Sequence, residues 1–292
     1  MTEADFIVAL RNLPLHPGAR GLQDDCAVLE LGAETFILTH DAMAEGIHFR
    51  SNADLADVAW KLVASNLSDL ASKGAEPIGI LLGYSLGHSL EQGEERFLSG
   101  LHEALTEFGT SLLGGDTISS QGPRTFGLTA IGKASHTPVP SRSGAQPGDK
   151  VYVTGTLGAA MLGFEGTAEF LAAYNRPTPR IGEGRALAPA ATAMMDVSDG
   201  LLLDAFRMAQ ASDVTLAISS DNVPVANADR RDESMRWGDD YELLFTLPAD
   251  LRPPIEASCI GSVEIKGFAP LMLDDHPLVN RDGLGYQHSQ KT

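Results

Sequence analysis

The residues best suited to chemistry in this sequence are aspartates at predicted turns and strand ends. Each stands beside glycine, serine or threonine, or beside an apolar run, so its side chain can point into a cleft. They are Asp24, Asp25, Asp41, Asp69, Asp116, Asp196, Asp199, Asp239 and Asp240. Carboxylate oxygens from several elements suit Mg²⁺, which usually takes one or two carboxylates per ion together with substrate phosphate. The pattern therefore favours a magnesium site that handles phosphate groups.

The charge of the chain favours phosphate as both donor and acceptor. Lysine and arginine number 21 against 39 aspartates and glutamates, which gives a net charge of −18. Two phosphate charges about 4 Å apart repel by about 1 kcal/mol in water and about 4 kcal/mol at an effective dielectric constant near 20. A chain with this much negative charge therefore needs metal ions to bring two phosphate groups together. A phosphate monoester has its second pKa near 6 and is already nucleophilic at neutral pH. Its reaction needs positioning and charge neutralisation rather than a general base.

The sequence gives little support to several other kinds of site because their motifs are missing. No His/Cys cluster has zinc spacing, and neither GxxxxGK[ST] nor GxSxG occurs. DVSDG, residues 196–200, resembles a calcium loop, but its glycine comes too early and Arg207 stands where a bidentate glutamate is needed. The strong acidity also excludes nucleic acid and anionic membrane surfaces as partners.

Length and composition indicate a folded, soluble chain. The 292 residues suffice for one large domain or two ordinary ones, and 43% hydrophobic with 21% charged residues is typical of globular proteins. Cys26 and Cys259 lack CxxC spacing, which favours inert thiols in a reducing compartment. No apolar run reaches membrane-spanning length, and the first residues do not read as a secretory leader. We therefore expect a cytoplasmic protein.

The helix predicted to begin after Asp57 and to end at Gly74 must position the central aspartate, Asp69. Apolar residues recur at helical spacing, with Asp57 as a predicted N-cap and Gly74 as a predicted stop. The other face carries Asn66, Asp69 and Lys73 on one ridge. Taken alone, such a ridge is usually exposed to solvent. The other aspartates instead favour a ridge that faces a cleft.

Predicted strands and turns deliver the remaining aspartates. A strand over residues 36–39 is expected to end at His40 and Asp41, and Asp116 is expected to follow a Gly-Gly turn. Asp196 should end a strand, with Ser198 capping the next helix. Strands and helices alternate, which predicts an α/β fold or an α+β fold with mixed sheets. The Pro, Gly and Ser-rich stretch 134–149 predicts a boundary between domains at 1–135 and 136–292.

These residues lie in motifs that resemble the thiamine-monophosphate kinase family. Its superfamily also includes aminoimidazole ribonucleotide synthetase and selenophosphate synthetase. The matching segments span most of the chain and are specific together, although none suffices alone. In chain order they are DDCAVL, THDAMAEGIHF, WKLVASNLSDLASKGAEP, GGDT, SRSGAQPGDKVYVTGTLG, RPTPR, DVSDGLLLDAF and GDDYELLF.

The resemblance implies a reaction, a fold and a set of site residues. The reaction is ATP plus thiamine phosphate giving ADP plus thiamine diphosphate, with several Mg²⁺ ions. The fold is a two-domain, aminoimidazole ribonucleotide synthetase-like α/β fold whose N-terminal domains pair into a barrel in a homodimer. The implied metal ligands are Asp25, Thr39, His40, Asp41, Asp69, Asp116, Asp196 and Asp199, of which Asp69, Asp116 and Asp199 are the implied catalytic residues. The implied ATP contacts are Gly115, Asp116, Arg142 and Ser198, and the implied thiamine phosphate contacts are His48, Asp239 and Tyr286.

The sequence departs from the family at three places. His40 stands where the family usually has Thr or Ser, and Ala159 replaces a frequent Asp. Met235, Arg236 and Trp237 precede Gly238 where a Ser-Gly-Gly type of turn is usual, and the segment 224–239 is short. Trp237 could stack on the substrate or fill the gap left by the deletion. Two alternatives follow: a related ATP-dependent synthetase with another acceptor, or a nucleotide-binding protein that is not an enzyme.

Overall fold

A computed structural model describes residues 3–86 and 93–287. The α-helices are α1 Glu3–Leu10, α2 Leu55–Ala71, α3 Gly93–Glu107, α4 Ala159–Phe164, α5 Leu171–Asn175, α6 Ile181–Leu187, α7 Leu201–Ser212 and α8 Arg231–Trp237. The strands of the first half are β1 Ala27–Leu31, β2 Glu34–Ala44, β3 Ala75–Leu86, β4 Leu112–Ser119 and β5 Thr125–Ala134. Those of the second half are β6 Lys150–Val153, β7 Ala193–Val197, β8 Val214–Ile218, β9 Glu242–Leu247, β10 Ser258–Ile265, β11 Leu271–Leu273 and β12 His276–Leu278.

Two mixed sheets form the frame of the molecule. The first has the strand order β1-β2-β5-β3-β4, with β3 and β4 parallel and the other pairs antiparallel. The second has the order β12-β11-β8-β10-β6-β9-β7. Its main core packs α7 against β6, β7, β8 and β10. The predicted α/β class with mixed sheets is confirmed. The division at residue 135 stays a prediction, although β5 ends at Ala134 and β6 begins at Lys150.

Helix α2 lies between the two sheets and is the element both halves share. Its apolar residues pack on the inner face of the first sheet, and α3 packs beside it. The second half reaches its other side, where Trp60 Nε1 donates to the Pro177 carbonyl at 2.9 Å and Ser68 Oγ donates to Asp196 at 2.7 Å. Because α2 is covered on both sides, Asn66 is fully buried rather than exposed to solvent.

Two local predictions differ from the structure. The N-cap of α2 is Asp54, whose side chain accepts from Ala56 N, whereas the predicted cap Asp57 pairs with Arg176 from the second half. Strand β2 continues past residue 39 through Ala44, because β5 pairs with it along that whole length. His40 and Asp41 therefore lie inside a strand and point to opposite faces.

The predicted Gly-Gly turn before Asp116 and the predicted Ser198 cap are also wrong. Gly115 and Asp116 lie inside β4, where a Cβ on Gly115 would stand 1.9 Å from the Leu82 carbonyl oxygen. The glycine thus permits close strand pairing rather than a turn. Helix α7 begins at Leu201, after Gly200, whose φ is 112°, and it has no side-chain cap.

No helix among residues 3–86 and 93–287 has both the length and the apolar character needed to cross a bilayer.

Candidate active site

Three carboxylates from distant parts of the sequence meet where the two halves join. Asp25 precedes β1, Asp69 lies in the last turn of α2, and Asp196 lies near the end of β7. One oxygen from each lies within 4.8 Å of the others. We call these residues the carboxylate cluster. Both halves of the chain contribute, so the cluster exists only when they are docked.

Neighbouring hydroxyl and amide groups fix the orientation of the cluster and of Asp41 beside it. Thr39 Oγ1 donates to Asp69, and Ser68 Oγ donates to Asp196. The buried Asn66 accepts from the backbone N–H of Asp41 at 3.0 Å. The α2 ridge and the inner face of β2 therefore supply both the acids and the groups that orient them.

On one side of the cluster, no lysine or arginine of the described residues pairs with Asp69, Asp196 or the neighbouring Asp41. Burial, reinforced by the charges of Asp41 and Asp196, raises the pKa of Asp69 well above its usual range. Burial also raises the pKa of Asp41, and it raises the pKa of Asp196 to about 8, with the Asp25 charge adding to the effect. A divalent cation would favour the ionised forms of all three.

On the other side, three cations surround Asp24 and Asp25. Lys73 Nζ lies 2.6 Å from Asp24 and 2.7 Å from Asp25, Arg20 Nη1 lies 2.6 Å from Asp24, and Arg142 pairs with Asp25. Burial opposes ionisation here too, but Arg142 and Lys73 hold the pKa of Asp25 below its ordinary value. Lys73 and Arg20 do the same for the pKa of Asp24. These two carboxylates stay charged without a metal.

The carboxylate cluster opens into a large cavity of about 1270 Å³. Asp41, Arg142, Ser198 and Asp199 also line it. The turn that carries Ser198 and Asp199 is braced by Asp204, which accepts from their backbone N–H groups at 3.2 and 3.0 Å. Asp204 thus takes the place of a serine cap.

A smaller cavity of about 230 Å³ lies on the neighbouring stretch of the sheet. His48, Lys61, Phe164 and Tyr174 line it. Lys61 Nζ stands 3.9 Å from the centre of the Tyr174 ring, and the Arg50 guanidinium stands 4.4 Å from that of Phe164. Trp237 packs against Phe164 with their ring centres 5.1 Å apart. These aromatic faces attract cationic groups, as the two basic side chains above them show.

A short hydrogen-bonded chain joins the two cavities. Lys61 Nζ pairs with Asp239 at 2.7 Å, and the Tyr241 hydroxyl donates to Asp239 at 3.0 Å. Lys61 lines the smaller cavity and Tyr241 lines the larger one. Met43 lines the smaller cavity, and Asp41, two residues earlier on β2, lines the larger one. Two residues along a strand span about 7 Å. Groups bound in the two cavities could therefore touch.

Some predicted site residues lie apart from the cluster. His40 faces the opposite side of the first sheet, where its ring contacts Thr129 Oγ1 at 2.9 Å. Across the sheet, Asp116 pairs with Gly83, Gly83 with Gly127, and Gly127 with Ala42. Paired residues of neighbouring strands point to the same face, so Asp116 lies on the same outer face as His40. Tyr286 lies near the large cavity, because its N–H donates to the Asp199 carbonyl at 2.8 Å. The structure thus brings neither His40 nor Asp116 to the cluster.

Residue types alone did not identify the cations of the site. Lys73 shares the α2 ridge with Asp69, a signal that could have predicted its position, but Arg20 carried no local signal. The aromatic lining of the smaller cavity was also missed, since Phe164 and Tyr174 lie in short helices with no motif. These groups come together only through the packing of the two halves.

The donor set fits Mg²⁺. Carboxylate and hydroxyl oxygens are the ligands that this hard cation prefers, and the cluster residues Asp25, Asp69 and Asp196 offer them from one small volume. Burial, with the charges of neighbouring acids adding to it, raises the pKa values of Asp69 and Asp196, and a divalent cation bound there would offset both effects.

Comparison with known proteins gives consistent matches along the chain. Residues 23–134 match the family described as AIR synthase related protein, N-terminal domain, and residues 146–259 match its C-terminal domain. A thiamine-monophosphate kinase of Salmonella typhimurium is 35% identical over 300 residues, covering 92% of this chain and 91% of that protein. A solved structure described as AaThiL complexed with AMPPCP and TMP has a TM-score of 0.86 and 28% identity, covering 99% of this chain and 97% of that one. A thiamine-monophosphate kinase structure from Stenotrophomonas maltophilia K279a has a TM-score of 0.77 and 32% identity, covering 94% and 96%.

Proposed function

The chain belongs to the AIR synthase related family, among the thiamine-monophosphate kinases, and from this premise we propose that it phosphorylates thiamine phosphate with ATP, giving ADP and thiamine diphosphate. The observation that carries the proposal is a carboxylate cluster that opens into a large cavity beside a smaller aromatic one. A similar structure is described with AMPPCP and TMP, one nucleotide-like and one thiamine-phosphate-like ligand. Two adjoining cavities fit two such substrates.

We assign the metal to the carboxylate cluster. Asp25, Asp69 and Asp196 would hold Mg²⁺, and Asp41, Asp199 and Thr39 lie close enough to the same cavity to share in its binding. Bound Mg²⁺ would neutralise the charge that builds up between the two phosphate groups. Ser68 and Thr39 keep the acids oriented for this task through their hydrogen bonds to Asp196 and Asp69.

We assign the larger cavity to ATP and the smaller one to thiamine phosphate. Arg142 and Ser198 line the larger cavity and are the proposed ATP contacts there, while Gly115 and Asp116 remain predicted contacts on β4. In the smaller cavity, His48 is a proposed contact, and the aromatic faces of Phe164 and Tyr174 suit the cationic ring of thiamine. Asp239 and Tyr286 are the other proposed contacts.

The chain's own residues position the acceptor rather than activate it. A thiamine phosphate dianion is already nucleophilic at neutral pH. Lys61, held by Asp239 between the cavities, places a positive charge where that phosphate must pass. Tyr241 fixes Asp239 from the side of the larger cavity. Positioning and charge compensation then supply the rate enhancement expected of phosphoryl transfer.

One coupled assay tests the proposal directly. Purified protein with ATP and Mg²⁺ is given thiamine phosphate, free thiamine or a phosphoribosyl substrate, and ADP formation is followed. We expect turnover only with thiamine phosphate. Turnover of free thiamine alone would contradict the proposal, and turnover of the phosphoribosyl substrate would indicate a synthetase. Calorimetry that detects ATP binding without thiamine phosphate binding would indicate a protein that is not an enzyme.

We also propose that the chain forms a homodimer through the outer face of the first sheet. This face and the β4 edge expose Leu81, Leu113 and Ile118, of which the two β4 residues are more than half exposed. Apolar side chains clustered on an exposed sheet edge usually mark an interface. Ile118→Asp should therefore convert a dimer to a monomer in light scattering, whereas Ile265→Asp, at an exposed site in the second half, should not. A cytoplasmic location also remains a prediction.

A further inference from the structure

Lys73 is a buried lysine whose donors are fully used. It follows the end of α2, its side chain is 0% exposed, and its ammonium lies 2.6 Å from Asp24 and 2.7 Å from Asp25. Its third partner is the carbonyl oxygen of Met194 at 3.2 Å. An ammonium group has three N–H donors, so this geometry satisfies all of them.

The partners of Lys73 lie on the segments that supply the carboxylate cluster. Asp25 is itself a member of the cluster, and Asp69 lies four residues before Lys73. Met194 lies on β7, two residues before Asp196. One ammonium group therefore ties together the turn before β1, the end of α2 and strand β7. These are the three sources of the cluster.

Lys73 also holds Asp25 in a way that Arg142 does not. Asp25 Oδ1 pairs with Arg142 and Asp25 Oδ2 pairs with Lys73. Arg142 is partly exposed and lines the large cavity, so an entering anion can take its guanidinium. The Lys73 ammonium is closed off from that cavity, so its pair with Asp25 does not compete with a ligand.

We propose that Lys73 is the positioning residue of the metal site, which holds Asp25 in register with Asp69 and Asp196 while Arg142 engages the nucleotide. This inference rests on the proposed metal site. Groups that orient a metal ligand without touching the metal typically change metal affinity by about 10- to 100-fold when they are replaced. Lys73 acts through Asp25 in this way.

The competing role for Lys73 is that of a simple counter-charge, and the two roles predict opposite signs. If Lys73 only adds positive charge near the metal, its loss strengthens the attraction for a divalent cation. If it positions Asp25, its loss weakens binding. Lys73→Met keeps an unbranched side chain of similar length, and Arg20 and Arg142 still compensate the two carboxylates in that variant.

The test is a titration with Mn²⁺, followed by electron paramagnetic resonance of the free ion, on the full chain without nucleotide. We expect Lys73→Met to weaken Mn²⁺ binding about 10- to 100-fold. The double variant Lys73→Met/Asp24→Asn removes one charge of each sign, so the net charge of the site is unchanged, and it should be weakened similarly. The double variant also tests the proposal if Lys73→Met alone does not fold.

Lys266→Met is the control, because Lys266 is an ion-paired lysine of the second half that lines neither cavity and does not contact the cluster. Its Mn²⁺ affinity should equal that of the wild type. Tighter binding by Lys73→Met, or wild-type affinity in the double variant, would overturn the positioning role alone. A wild-type protein that binds no Mn²⁺ would overturn the proposed metal site and this inference with it.

Discussion

The two sides of the carboxylate cluster hold the same residue type in opposite electrostatic states. Asp24 and Asp25 are buried, yet Lys73, Arg20 and Arg142 hold their pKa values below the ordinary value. Asp69 and Asp196 are buried without such cations, and their pKa values are raised. Burial therefore does not decide the ionisation of a carboxylate by itself. The cations that the fold places beside the carboxylate decide its ionisation, and the proposed metal binds on the side that lacks them.

The largest effect expected from this contrast is on activity. Asp69→Asn removes a cluster carboxylate from the uncompensated side, while the amide can still accept from Thr39. We expect turnover of thiamine phosphate to fall by about 100-fold or more, as when a group that stabilises transition-state charge is lost. Steady-state kinetics and circular dichroism measure turnover and fold. Asp213→Asn, an exposed control, should behave as wild type, and a fully active Asp69→Asn would refute the metal assignment.

The two sides should also differ in how pH changes stability. The pKa of Asp196 is raised from 3.8 to about 8, so its protonated form stabilises the fold fully at low pH, and this contribution is lost as pH rises towards 8. Without metal, the melting temperature should fall by several degrees between pH 5 and about 8.5, since 1 kcal/mol corresponds to about 2–4 °C in proteins of this size class. Saturating Mg²⁺ should reverse most of that fall.

Asp196→Asn gives the control for this pH effect. The metal-free melting temperature of that variant should depend less on pH than that of the wild type. Mg²⁺ should also raise the melting temperature of the variant by less. A wild-type curve that rises with pH over the same range would contradict the contrast between the two sides.

On the compensated side, the pairing of Asp24 with Arg20 should lose its stabilising effect in acid. Arg20 donates to Asp24 and to the carbonyls of Val139 and Pro140. Arg20→Met should cost about 1.5–3 kcal/mol of unfolding free energy, the usual range for hydrogen bonds to charged groups. Because the pKa of Asp24 is lowered in the folded protein, its contribution is present above pH 4 and lost on acidification, and the variant should lose stability at a higher pH.

Urea unfolding at neutral and acidic pH measures the loss caused by Arg20→Met. Arg96→Met breaks an exposed ion pair with Asp54 and should remain close to wild type. Equal losses in the two variants would remove the distinction between a buried compensated pair and a surface pair.

The smallest effect is expected in the smaller cavity. Phe164→Leu keeps the smaller cavity apolar but removes an aromatic face beside Arg50 and Trp237. We expect the KM for thiamine phosphate to rise about 3- to 10-fold, in line with the energy of aromatic contacts, with the Mg²⁺ requirement unchanged. Phe268→Leu, at a highly exposed position, is the control. A changed metal requirement in Phe164→Leu would mean that the two cavities are not separate.

The sequence predicted much of the fold but misplaced several boundaries, for identifiable reasons. Asp54 and Asp57 are both residue types that favour an N-cap. In the structure Asp57 pairs with Arg176 of the second half, and Asp54 is the N-cap. The end of β2 was set by its long pairing with β5, and the Gly-Gly stretch in β4 by close approach to Leu82. Each case depends on a partner that is distant in sequence.

For the site, residue types and their spacing fix the chemistry that is available: an acidic chain with aspartates along α2, β2 and β7 that suit a hard cation and phosphate. Those properties are local, because residue type and periodicity fix which side chains share a face. The packing of the two halves sets which of these groups meet. It brings Asp25, Asp69 and Asp196 together, leaves His40 and Asp116 on another face, and places Lys73, Arg20 and Arg142 beside particular acids. Ionisation depends on burial and on the distances between charges, and both quantities are set when the two sheets close on α2.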